Sequence, residues 1–71
     1  MNHIELKIIC QNDYSEILMA ELSYIGFDTI EENDEGFNAY ILEGEYDKNL
    51  LDQVLKQYAS HITHWKLNTI E

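Results

Sequence analysis

Apolar and polar residues alternate at the start of the chain. Over residues 3–10 one face carries three aliphatic side chains and a cysteine: Ile4, Leu6, Ile8 and Cys10. This period of two predicts a half-buried strand. Over residues 14–25 the apolar positions recur every three or four residues instead, which predicts an amphipathic helix. We expect Asp13 to cap this helix in a capping box with Glu16, and Gly26 to end it in a left-handed conformation.

A hairpin is predicted directly after this helix. Thr29 and Ile30 indicate a short strand, and residues 37–42 alternate as a second strand. Between them, the segment Asn33-Asp34-Glu35-Gly36 has the residue types of a tight turn. We expect Gly36 to adopt a positive φ angle in that turn.

A helix and a strand follow in the last third of the chain. Asp47 is expected to cap a helix whose apolar stripe covers residues 50–58, and residues 62–67 predict a final strand. The order β-α-β-β-α-β is typical of the α+β, ferredoxin-like split β-α-β fold. We therefore expect one domain over residues 1–71, with a four-stranded antiparallel sheet in the order 4-1-3-2 and both helices on one face. The acidic strand of the hairpin is then a sheet edge.

The charge of the chain is strongly negative. There are 14 acidic residues against 4 lysines and no arginine, which gives a formal net charge of −10. Such a charge repels nucleic acid and anionic membranes and attracts basic partners. Two simpler roles stay open: a solvated surface, and protection of the sheet edge against strand addition by Glu31 and Glu32. A single cysteine and the lack of a signal peptide or a membrane-spanning apolar run indicate a cytoplasmic protein.

No catalytic residue, cofactor site or metal site is predicted. His61 and His64 lie three residues apart, at a helix exit and within a strand, where this spacing directs them to opposite faces. Cys10 is interpreted as a small buried hydrophobic residue rather than a nucleophile. The three glycines are isolated, so they do not form a loop for a cofactor phosphate.

Several segments together resemble a known family. They are Ile4-Glu5-Leu6-Lys7-Ile8, Ala20-Glu21-Leu22-Ser23-Tyr24-Ile25-Gly26-Phe27-Asp28, Glu31-Glu32, Gly36-Phe37-Asn38-Ala39-Tyr40-Ile41 and Tyr46-Asp47. In their order and spacing they are similar to the N-terminal domain of the ribosomal protein L eleven methyltransferases, the PrmA family. The similarity extends over essentially all 71 residues.

The resemblance implies a substrate-recognition domain that a linker joins to a Rossmann-like catalytic domain. In the family, that second domain uses S-adenosylmethionine to methylate amino groups of a basic ribosomal protein, L eleven of the large subunit. The motifs of the catalytic domain do not occur in this sequence. We therefore expect a part of a longer protein or a free-standing relative, which by itself holds no cofactor and is no enzyme.

The expected partner surface is the hairpin. Residues 8–47 contain neither lysine nor arginine, so this part of the chain is purely acidic. The residues expected to contact a basic partner are five carboxylates and one tyrosine: Asp28, Glu31, Glu32, Asp34, Glu35 and Tyr40. Ile9, Leu42 and His64 are expected on the same open face of the sheet. A negative surface of this kind steers a basic protein and raises its association rate.

Two other functions stay open. Ferredoxin-like domains also serve as amino-acid sensors that dimerise through sheet edges and helices, and the turn Gly26-Phe27-Asp28 is a candidate ligand position for such a sensor. This alternative predicts a stable dimer, whereas the recognition domain is expected to be a monomer. The third possibility is a ferredoxin-like domain that binds an unrelated protein.

Overall fold

The sheet contains four antiparallel strands in the order β2-β3-β1-β4. The computed structural model describes residues 2–70. The elements are β1 (His3–Cys10), α1 (Asn12–Tyr24), β2 (Thr29–Glu32), β3 (Gly36–Leu42), α2 (Lys48–Gln57) and β4 (Ile62–Ile70), with short 3-10 turns at Glu43–Glu45 and Ala59–His61. Read from the other edge, this strand order is the predicted 4-1-3-2. The ferredoxin-like α+β prediction is confirmed.

One hydrophobic core lies between the sheet and the helices. The strands contribute alternate residues of one face, such as Leu6 on β1 and Phe37 on β3, which are completely buried. Leu22 of α1 and Leu51 of α2 belong to the same cluster, so both helices cover that face. Burial of each such side chain contributes about 1.5–3 kcal/mol, which makes this face the main source of stability. The opposite face of the sheet has no helix over it.

The two ends of α1 differ in how well local sequence predicts them. At its C-terminus, the Gly26 N–H donates to the Ser23 carbonyl and the Phe27 N–H to the Leu22 carbonyl, while Gly26 has a φ of 110°. This is a Schellman motif, so the predicted helix stop is confirmed, with Phe27 buried just beyond it.

The predicted N-terminal cap of α1 is wrong. The helix begins at Asn12, and its N-cap is Gln11, whose side chain caps no backbone amide. Asp13 instead lies in the first turn, where a carboxylate still interacts favourably with the helix dipole. The Gln11 N–H donates to the His61 carbonyl at 3.3 Å, so a contact with the distant end of the chain fixes this helix start.

The second helix starts as predicted. One carboxylate oxygen of Asp47 accepts hydrogen bonds from the N–H groups of Asn49 and Leu50, at 2.9 and 3.2 Å. Neither helix is long and apolar enough to cross a membrane, over the part of the chain that the structure describes.

Candidate functional site

The predicted acidic residues lie along one edge of the sheet. Glu31 and Glu32 are on β2, which is the outermost strand. Glu31 pairs with Asn38 on the open face, whereas Glu32 pairs with the buried Phe37 and so points to the helix side. Asp28 precedes β2, and Asp34 and Glu35 form the tip of the hairpin. All five carboxylates are exposed to solvent: Asp28, Glu31, Glu32, Asp34 and Glu35. We call this set the acidic edge.

The turn that carries Asp34 and Glu35 is fixed by Asn33. The Asn33 side-chain oxygen accepts hydrogen bonds from the Glu35 N–H at 3.0 Å and the Gly36 N–H at 2.9 Å. The Asn33 N–H donates to the Gly36 carbonyl, also at 3.0 Å. A further bond from the Cys10 N–H to the Glu35 carbonyl, at 3.1 Å, ties the turn to the end of β1. The tip is therefore held in one arrangement.

The expected positive φ at Gly36 is wrong. Gly26 is the glycine with a positive φ, whereas Gly36 is extended and begins β3. A positive φ is unnecessary because the Asn33 side chain accepts the hydrogen bond that would otherwise close the turn. Glycine is required here for a different reason: a Cβ atom at this position would lie 2.1 Å from the Ile8 carbonyl oxygen of β1.

Tyr40 lies between two carboxylates on the open face. Its hydroxyl is 2.8 Å from Glu31 Oε1 and 3.0 Å from Glu5 Oε2. The other oxygen of Glu5 accepts a hydrogen bond from the Asn68 side chain at 3.3 Å. A polar network therefore crosses all four strands, from β2 through β3 and β1 to β4.

This network changes the acidity of the phenol. The hydrogen bond to Glu31, the loss of solvent around the hydroxyl and the hydrogen bond to Glu5 raise the pKa of Tyr40 from 10.0 to about 12. The neutral phenol is thus retained well above physiological pH, and it holds Glu31 in a defined position. Sequence reasoning selected Tyr40 as a contact residue but missed Glu5 and Asn68. The alternation of β1 places Glu5 on the open face, but only the strand pairing brings it to Tyr40.

Sequence reasoning assigned no functional role to two cations on the open face. Lys7 of β1 pairs directly with Lys66 of β4, and Asn38 is the partner of Lys7 on the other side. His64 pairs with Ile9 two pairs further along the strands. The open face is therefore acidic near β2 and basic near β4. In the sequence, the basic part of this face was indicated by the lysine at an outward position of the first predicted strand.

The remaining reactive side chains have structural roles. Burial raises the pKa of the Cys10 thiol, which disfavours the reactive thiolate. The His61 ring stacks on Tyr14 with 3.6 Å between the ring centroids, and its Nδ1 lies 3.2 Å from Gln11 Oε1. Within residues 2–70, three potential metal-ligating side chains nowhere converge on one point.

The turn considered for an amino-acid ligand is packed against the core. Phe27 is buried, and Ile41 Cδ1 lies 3.1 Å from the position that a Cβ atom on Gly26 would take. Asp28 is exposed, but its N–H donates to the Tyr40 carbonyl at 3.0 Å and its carboxylate accepts a hydrogen bond from Thr29. The turn therefore serves to end α1 and to start β2.

No protein-family model matches the chain, and no curated protein matches it by sequence. The function of the chain is therefore inferred from its residues and motifs and from the geometry of the acidic edge.

Proposed function

We propose that this domain recognises a basic protein through the acidic edge. The observation that carries the proposal is the exposure of all five carboxylates along one sheet edge, with Asp34 and Glu35 on a turn that Asn33 fixes. By its resemblance to the PrmA family, the partner is a basic protein of the large ribosomal subunit, L eleven. The domain acts as a monomer, and a separate domain carries out the methylation.

Electrostatic steering is the physical basis of the proposal. A surface of one sign raises the association rate of an oppositely charged protein by about 10- to 1,000-fold, with a steep dependence on salt. Glu31 is already held by Tyr40, and the hairpin tip by Asn33, so little side-chain or loop order has to be gained on binding.

The proposal places S-adenosylmethionine in the separate catalytic domain. Adenosine requires a largely apolar slot with a few directed polar groups. The depression on the open face is instead lined by charged side chains, among them Lys7, Lys66 and Glu35. We therefore assign no step of methyl transfer to these residues.

The acidic edge also has a simpler explanation that the experiment must separate from recognition. Charged side chains on an outer strand prevent edge-to-edge association, whether or not the protein has a partner. If this is their whole purpose, their loss promotes self-association and leaves the binding of a basic protein unchanged.

The test compares two triple variants with the same net charge. One reverses Glu32, Asp34 and Glu35 to lysine, and the other reverses three exposed carboxylates away from the hairpin: Glu16, Glu43 and Glu45. Association with purified ribosomal protein L eleven is followed by stopped-flow fluorescence over a range of salt concentrations, and the oligomeric state by sedimentation.

The edge variant is expected to associate at least about tenfold more slowly at low salt, with a flatter salt dependence, than the variant with distant reversals. Equal association rates of the two variants would refute the proposed surface. No measurable binding of L eleven by the unmodified domain would refute the partner.

A further inference from the structure

An open depression of about 480 Å³ lies on the helix-free face of the sheet. Its walls have opposite charges. Lys7 lines it from the central strand β1, and Lys66 lines it from the outer strand β4. Asp34 and Glu35 line it from the hairpin tip. Ile9, which is half-buried, contributes to its floor.

The basic wall is formed by two lysines on adjacent strands. Lys7 and Lys66 are two of only 4 lysines in a protein without arginine, and they face each other directly across adjacent strands. Like charges in this position are destabilising. The carboxylate of Glu5 lies on the same face of β1 as Lys7, and its oxygens accept hydrogen bonds from Tyr40 and Asn68.

Two further polar side chains extend the basic wall. Asn38 lies beside Lys7 in the register, and the His64 ring lies next to Lys66 on the same face of β4. Both line the depression. Two ammonium groups, an amide N–H₂ and an imidazole ring thus line the same depression, which is a suitable environment for a carboxylate.

The acidic wall is joined to β1 by a backbone hydrogen bond. The Glu35 carbonyl is bonded to the Cys10 N–H, so the hairpin tip lies beside the end of β1. The rise along a strand places Lys7 about 10 Å from Cys10, with Ile9 between them.

We propose that this depression binds a molecule with a carboxylate at one end and an ammonium group at the other, joined by an aliphatic spacer of the length of a lysine side chain. The carboxylate meets Lys7, Lys66 and Asn38, the spacer covers Ile9, and the ammonium group meets Asp34 and Glu35. A purely anionic ligand is repelled by the acidic wall, and a purely cationic one by the lysines. The site shares two residues with the acidic edge but does not depend on what that edge binds.

The test uses ε-aminocaproate, which has the required two charges and spacer. Binding is measured on the ¹⁵N-labelled domain by NMR titration, together with caproate, which lacks the ammonium group, and hexylamine, which lacks the carboxylate. We expect ε-aminocaproate to shift the amide signals of residues 7–9, 34–36 and 64–66, and to bind more tightly than either comparison compound.

The chain offers a matched control for the basic wall. Lys7→Gln with Lys66→Gln removes the two lysines of the depression, and Lys48→Gln with Lys56→Gln removes the two exposed lysines of α2 with the same change of net charge. The first pair is expected to weaken binding of ε-aminocaproate by about fivefold or more, and the second to leave it unchanged.

A further set of ligands identifies the source of the bound molecule. Free lysine is compared with a short peptide that ends in lysine and with the C-terminal amide of that peptide. Preference for free lysine assigns a small metabolite, and preference for the peptide acid assigns a protein C-terminus. The proposal is overturned if ε-aminocaproate causes no shifts at tens of millimolar, if hexylamine or caproate binds as well, or if both lysine pairs weaken binding equally.

Discussion

Replacement of Gly36 by alanine tests the geometry of the hairpin most directly. Gly36 begins β3 and pairs with Ile9 of β1, where the two backbones approach each other closely. A Cβ atom would lie 2.1 Å from the Ile8 carbonyl oxygen and 3.0 Å from the Ile8 carbonyl carbon. Both neighbours are backbone atoms, so no side chain can rotate away to make room.

The magnitude follows from the size of this overlap. A carbon–oxygen contact needs about 3.3 Å, so the two strands would have to separate by about 1 Å. This separation also strains the hydrogen bond from the Cys10 N–H to the Glu35 carbonyl. Overpacking of this kind costs about 3 kcal/mol. A domain of this length has roughly 4–11 kcal/mol of stability in total, so the loss is a large fraction.

Two further glycines provide a graded comparison. Gly26→Ala forces a side chain into a φ of 110° but meets only the movable Ile41 Cδ1, so we expect a cost of about 1–2 kcal/mol. Gly44→Ala has no atom within 4 Å of the new Cβ, and the φ of Gly44 is not positive. Its expected effect lies between none and a gain of about 1 kcal/mol.

The assay is urea unfolding followed by the fluorescence of Trp65, the single tryptophan, which lies on β4 and is 42% exposed. We expect the order of stability, from highest to lowest, to be Gly44→Ala, Gly26→Ala, Gly36→Ala, with the last variant about 3 kcal/mol less stable than the unmodified protein. A Gly36→Ala protein as stable as the Gly44→Ala protein would refute the close approach of β3 to β1.

Two other predictions concern the acidic edge. Glu31→Gln is expected to lower the pKa of Tyr40 from about 12 toward 10.0, because it removes the strongest acceptor of the phenol proton; ultraviolet titration against a Tyr40→Phe reference measures it. Since folding raises this pKa, its contribution to stability is complete below pH 10 and is lost as the pH rises through 12, and the Glu31→Gln protein should show less of this loss. An unchanged titration would contradict the hydrogen bond. Asn33→Ala removes the acceptor of two turn amides and should cost about 1–2 kcal/mol in the same urea assay, and an unchanged midpoint would show that the turn does not depend on it.

Much of the fold was accessible from short-range patterns. The alternation in β1 and β3, the helix stop at Gly26 and the cap at Asp47 are effects of neighbouring residues, and all four appear as predicted. The start of α1 was not predicted correctly, because the contact of Gln11 with His61 joins residues from opposite ends of the chain. The placement of the acidic residues on an outer strand followed from the strand order, which the β-α-β-β-α-β sequence of elements predicts.

The sequence by itself thus determined the elements, their order and the negative charge of the hairpin, since these depend on local periodicity and composition. The tertiary structure decided which side chains meet. Tyr40 bonds to Glu5 across 35 positions of the chain, and Asn68 bonds to Glu5 across 63. The facing of Lys7 and Lys66, and the need for glycine at position 36, likewise arise from strand register. Register is set by the packing of one sheet face against the helices, which no stretch of neighbouring residues specifies alone.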